Sequence, residues 1–191
     1  AGRDAPYAGG NSRMIPRKTI PVVRQDRVPS VTEILSFKEP VPSYFTEEAR
    51  TAGTMAHEDS LDEELGKAQG TFSAFMAMTG YSPILQEVRM YSPMIFSGKP
   101  DSAGFFLGTR QRVVVEKKNN LPSIGSDLMK RYESQVAAYR YLLIEEGWPV
   151  DTRCVLFCIS TGRVVLLNES AVSAGWGRFL IKMEEWRNGG R

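Results

Sequence analysis

Apolar positions recur along this chain at helical spacing in some stretches and in alternation in others, and their order predicts most of its elements. Ser30-Val31-Thr32-Glu33 is a capping box, so a short helix begins there and Pro40 and Pro42 end it. A second helix is expected from Thr46, passing or restarting at Gly53 and stopping at Gly66. Phe72, Phe75, Met76 and Met78 make residues 71–79 a core helix, closed by Gly80 and Pro83. Residues 84–91 read as a first strand, with Ile84, Val88 and Met90 on one face and Leu85, Glu87 and Tyr91 on the other. Residues 94–101 form the next strand and loop. Residues 104–107, a turn at Gly108-Thr109 and the β-branched run 112–115 suit a hairpin. Asn119-Asn120-Leu121-Pro122 breaks the sheet, and Ser126 caps a helix to Glu146 with Leu128, Tyr132, Gln135, Tyr139 and Leu142 on one face. A strongly apolar strand over 153–160 turns at Thr161-Gly162 into a second over 163–167. Ser170 then caps a last helix carrying the stripe Val172, Trp176, Phe179, Leu180, Met183 and Trp186. Helices, three strands, a helix, two strands and a helix predict an α/β fold with a central mixed β-sheet flanked by helices.

At 191 residues the chain suits one domain with a sizeable core. Residues 29–191 are expected to be that domain, and residues 1–28 a flexible basic arm. Met14 is a candidate natural start, which would make 1–13 an added tail. No apolar run approaches the length of a membrane span, and the first residues lack the apolar core of a secretory signal. Cys154 and Cys158 sit four apart on one strand, roughly 13 Å at about 3.3 Å per residue, too far for a disulfide. Buried free thiols fit a reducing, intracellular compartment. One histidine and two cysteines do not make a conventional zinc site. The net charge is +2, but residues 1–30 hold six Lys/Arg against two Asp, so the folded body is not generically basic. Nucleic-acid binding would need local patches, and Arg110, Arg112, Lys117, Lys118, Lys130 and Arg131 are expected to make one.

The chemistry gathers at the end of the apolar run 112–115. Glu116 and Lys118 lie two apart on a strand and so share a face. The loop Ser97-Gly98-Lys99-Pro100-Asp101 supplies a second carboxylate, which the hairpin should bring beside Glu116. Two carboxylates suit a hard divalent cation, and a nearby lysine can orient or deprotonate a water or stabilise phosphoryl charge. The plainer reading is a surface hairpin with a salt bridge. Glu87 stands between two readings: an ion pair with Arg89 or Arg112, or a carboxylate supporting the site near Lys118.

The order Gly53-Thr54-Met55-Ala56-His57, Gly98-Lys99-Pro100-Asp101, Glu116-Lys117-Lys118 and Gln135-x-x-x-Tyr139 resembles the PD-(D/E)XK nuclease superfamily, and within it the RecB-like exonuclease branch. The opening at residues 29–35 and the closing helix are similar to the mitochondrial genome-maintenance exonuclease group and its phage-type relatives. The resemblance implies a restriction-endonuclease-like core and a metal-dependent deoxyribonuclease, an exonuclease acting in DNA repair, recombination or replication. It implies Mg²⁺ or Mn²⁺ held by His57, Asp101, Glu116 and the backbone carbonyl of Lys117, with Lys118 activating the water. Gln135 and Tyr139 would hold the DNA strand, with Arg110, Lys130 and Arg131 on its backbone. The sequence departs from the branch pattern in three places: Glu116 stands where Asp is frequent, Lys117 where the residue is often apolar, and Leu61 where an acid usually follows the histidine. Which of Glu58, Asp62 and Glu64 assists the site is left open. A catalytically silent nucleic-acid-binding module with the same fold is the alternative.

Overall fold

The computed structural model describes residues 28–39 and 47–189. The expected arm over 1–28, except Val28, and the Thr46 cap lie outside these residues. The elements run α1 (Val31–Ser36), α2 (Glu47–Glu64), α3 (Thr71–Thr79), β1 (Tyr81–Gln86), β2 (Met90–Ser92), β3 (Phe96–Gly98), β4 (Ser102–Phe106), β5 (Arg112–Lys118), α4 (Asp127–Glu145), β6 (Arg153–Cys158), β7 (Val164–Leu167) and α5 (Glu169–Gly189). The fold is α/β. A five-stranded sheet has the order β1-β4-β5-β6-β7, antiparallel except for the parallel β5–β6 pair, and β2 and β3 make a separate hairpin. A parallel neighbour needs a crossover, and α4 provides it.

The sheet is covered on both faces, which is why β5 and β6 carry near-continuous apolar runs. Val113 and Val115 pack with Phe72, Phe75, Tyr81 and Phe157 against α3. Val114 faces the other way, into the larger core built from α1, α4 and α5 around Val136, Leu142 and Phe179. Cys154 and Cys158 are buried free thiols, and burial pushes the Cys154 thiol up to about 12.

The Ser30 capping box, the 71–79 helix and the left-handed stops at Gly66 and Gly80 form as the sequence predicts. Two elements differ. The single strand expected over 84–91 is two pieces. Strand β1 starts at Tyr81, accepts Pro83 because it is an edge strand, shifts register between Pro83 and Leu85, and ends where its partner β4 begins at Ser102. The chain then turns through Glu87 at φ 50° into β2, leaving Ile84 and Val88 exposed. Helix α2 passes through Gly53 unbroken, one of the two courses the sequence left open. Asn168, not Ser170, caps α5, its side chain accepting the Ala171 N–H at 2.8 Å.

Candidate active site

Hairpin register brings the two carboxylates together. Ser102 pairs with Val115, so one step past the ladder sets Asp101 opposite Glu116. Asp101 Oδ2 accepts the Lys117 N–H at 2.6 Å, and the Asp101 carbonyl accepts the Glu87 N–H at 3.3 Å. The loop that delivers Asp101 depends on Gly98. A Cβ there would sit 2.6 Å from Leu142 Cδ1 and 2.8 Å from Tyr139 Cε1, so the glycine lets the loop close onto α4. The glycine of the G-x-x-D stretch and the tyrosine of the Q-x-x-x-Y stretch are therefore in contact.

Alternation along β5 sends its last three side chains to opposite faces. Glu116 and Lys118 face α4: Lys118 Nζ donates to Glu116 Oε1 at 2.5 Å and lies 5.0 Å from the centre of the Tyr132 ring. Lys117 faces α2 and α3: its Nζ donates to Glu64 Oε2 at 2.6 Å and lies 4.2 Å from the Phe72 ring centre. The Lys118 carbonyl accepts the Ile159 N–H at 2.8 Å and so turns toward β6. Successive strand residues turn their amides to opposite sides, so the Lys117 carbonyl turns with its N–H toward Asp101.

Glu116 is 1% exposed, and its Oε2 has no donor. Burial first, then the Asp101 charge, pushes its carboxyl up to about 8 against the pull of Lys118. Two adjacent acceptors are satisfied only by a proton on one of them or by a cation. Burial opposes charge on Lys118, but Glu116 and Asp101 outweigh it and hold the ammonium above its ordinary range.

His57 comes from α2, with Nδ1 3.7 Å from Asp101 Oδ1. Among the described residues, no three His, Cys, Asp or Glu side chains converge as a metal cage. What is present is a pair of carboxylates, one oxygen buried without a donor, and a carbonyl on the same side. That oxygen set suits Mg²⁺ or Mn²⁺, ions that keep several waters and take one or two carboxylates from the protein. His57 stands at the edge of this set, beside Asp101. A groove of about 800 Å³ opens over Lys118 between α2 and α4, lined among others by Gly53, His57, Glu87, Leu121, Leu128 and Tyr132.

The remaining predicted residues are distributed as follows. Gln135 Nε2 donates to the Tyr139 hydroxyl at 3.1 Å, with Thr32 of α1 a further partner of that hydroxyl. Tyr139 is only 4% exposed, and burial and then Glu116 push its hydroxyl up, so it can hydrogen-bond but offers no open face for stacking. Glu87 lines the groove but pairs with Lys99 at 2.8 Å, not with Arg89 or Arg112. The basic patch is not gathered around the site. Arg110 lies at the hairpin turn, at the opposite end of β5 from Glu116, over the Phe105 ring. Lys130 sits on the side of α4 opposite Leu128 and Tyr132, and Arg131 on the flank between. They line a separate cleft, where Lys130 pairs with Asp127 at 3.0 Å and Arg131 with Glu39 at 2.9 Å. Helical phase separates them from the groove, which adjacency in sequence does not reveal.

Of the three acids left open on α2, Glu64 is the one drawn inward, to Lys117 rather than to the carboxylate pair. Its spacing of seven residues from His57, two helical turns, was the available signal. The Lys117 side chain was not anticipated as part of the arrangement, because a charged residue in a β5 position facing the core can be placed only once its partner is known.

No family model matches the chain, and no curated protein matches it. Among solved structures it is similar to a crystal structure of LHK-Exo in complex with dAMP, at 12% identity and a TM-score of 0.28, covering 84% of this chain and 80% of that one. A likeness at that score carries no weight for fold or function, and the reading of the site rests on its own geometry.

Proposed function

We propose that the chain is a metal-dependent deoxyribonuclease of PD-(D/E)XK type, acting as an exonuclease on DNA strand ends. The observation that carries this reading is the Glu116 carboxylate: wholly buried, one oxygen on Lys118, the other without a donor beside Asp101. A protein that used these groups only as a salt bridge would not need a second buried carboxylate against the first. Asp101, Glu116 and the Lys117 carbonyl would hold Mg²⁺ or Mn²⁺, with His57 beside Asp101. The ion supplies Lewis-acid polarisation of a phosphoryl oxygen and a water acidified toward neutral pH.

The chain's own residues do the rest. Asp101 is oriented by the Lys117 N–H, so its second oxygen is left to face His57 and the groove. Lys118 is held as an ammonium and reaches the groove. It donates hydrogen bonds to the attacking water and to the phosphoryl oxygens as they gain charge: the water gives its proton to solvent, its oxygen bonds to phosphorus, and the P–O bond to the departing sugar oxygen breaks, that oxygen taking a proton from solvent. Gln135 and Tyr139 brace the Gly98 loop and α1 around this arrangement.

The test is digestion of end-labelled linear single- and double-stranded DNA, with a covalently closed circle as control, in Mg²⁺, Mn²⁺ or EDTA. Metal-dependent loss of linear DNA alone, absent in Lys118→Ala, is the expected result. DNA binding without cleavage under either metal would replace the reading with a silent binding module.

A further inference from the structure

Helix α2 carries His57 and one wall of the groove, yet its buried residues are Ser60, Glu63 and Glu64, with none apolar among them. Its apolar contribution to the core is small, Ala56 packing against the cluster around Phe72. Two carboxylates seat it. Glu63 Oε2 accepts the N–H groups of Phe72 and Ser73 at 2.7 and 2.9 Å, capping α3. Glu64 is fully buried, accepts from Lys117 Nζ at 2.6 Å, and hydrogen-bonds Ser102 Oγ, which in turn meets the Tyr81 hydroxyl at 2.5 Å.

These contacts close a ring around the site. His57 and Glu64 lie two turns apart on one face of α2. His57 meets Asp101, Glu64 meets Lys117 and Ser102, the Lys117 N–H meets Asp101 Oδ2, and Asp101 and Ser102 are chain neighbours. We infer that the buried Glu64–Lys117 pair is a positioning device: it docks α2 on β5 so that His57 stands beside Asp101. The inference rests on the proposed nuclease site for its catalytic consequence, but the positioning itself is independent of activity.

The chain has a single histidine, so the imidazole NMR signals report His57 alone in protein prepared without a histidine tag. The test compares wild type with Glu64→Met/Lys117→Met. That exchange of a buried ion pair for apolar side chains typically leaves a fold intact. Each is measured with and without Asp101→Asn, at one pH. In wild type, Asp101→Asn is expected to shift the His57 signals. In the double variant it should leave them unmoved, and kcat should fall by about 10–100-fold, as for loss of outer partners of a site, with cooperative unfolding retained. Should the double variant fail to fold, Glu64→Gln, which keeps the shape but removes the charge partner of Lys117, is read in the same way, and Lys117→Arg, which keeps the ion pair, should retain the response. A folded double variant whose His57 still answers to Asp101→Asn overturns the inference, whatever its activity. Loss of the response in a protein whose wild type cleaves no DNA would instead sustain the positioning and remove the nuclease reading.

Discussion

The poised carboxyl of Glu116 makes stability a direct probe of the site. Its folded value is about 8 against an ordinary 4.5, so the folded protein holds this proton more tightly than the unfolded chain does. The stability this group contributes is therefore whole below pH 4.5, declines as pH rises, and is gone above about 8. At about 1.4 kcal/mol per pH unit the full difference is about 5 kcal/mol. Between pH 6 and pH 9 the metal-free protein should lose about 2–3 kcal/mol of it, a drop of several degrees in Tm for a chain of this size. Glu116→Gln keeps the shape and cannot titrate. Urea or thermal unfolding of both proteins in EDTA across pH 6–9 should show the stability gap moving in favour of the variant as pH rises. Mg²⁺ at about 100 times its Kd should restore about 2.7 kcal/mol to the wild type at pH 9 and nothing to Glu116→Gln. Parallel pH curves for the two proteins would refute the reasoning, because Glu116 would then be no more protonated in the fold than in the open chain.

Asp101→Ala should abolish metal-dependent cleavage and Mg²⁺ stabilisation. It should also flatten the pH dependence of stability, since it removes the neighbouring charge on Glu116, and a circular-dichroism melt should still be cooperative. Gly98→Ala should cost about 1–3 kcal/mol, because its Cβ would press on Leu142 and the Tyr139 ring, and denaturant unfolding measures this directly. Removing residues 1–28, which hold six Lys/Arg against two Asp while the rest of the chain is net acidic, should weaken DNA binding more at low salt than at high salt. An equal loss in a filter-binding or anisotropy titration at both salts would argue against an electrostatic arm.

Much of the local structure was legible because it depends on near neighbours. The Ser30 capping box, the glycine stops and the Ser126 cap are short-range hydrogen-bond devices, and each formed where the residues indicated. The hairpin from Asp101 to Glu116 was legible because a turn at Gly108 fixes which residues face one another. The break at Glu87 was not, since it occurs where β1 runs out of partner strand, and strand partnership is not written in a single segment. The basic residues Arg110, Lys130 and Arg131 were misplaced for a similar reason. Proximity in sequence became distance along a strand for the first, opposite helical phase for Lys130, and a turn into a separate cleft for Arg131.

By itself the sequence determined the α/β class, the burial of the 112–115 run and the facing of Asp101 and Glu116, because side-chain period and turn position are local properties. Only the tertiary structure decided the environment those groups would have. Central placement in the sheet is what buries Glu116 beside a second acid, raises its proton affinity and makes Lys118 its counter-charge. The same burial forces Lys117 to find Glu64 across 53 residues of chain, since a charge withdrawn from water must meet a partner wherever the fold supplies one.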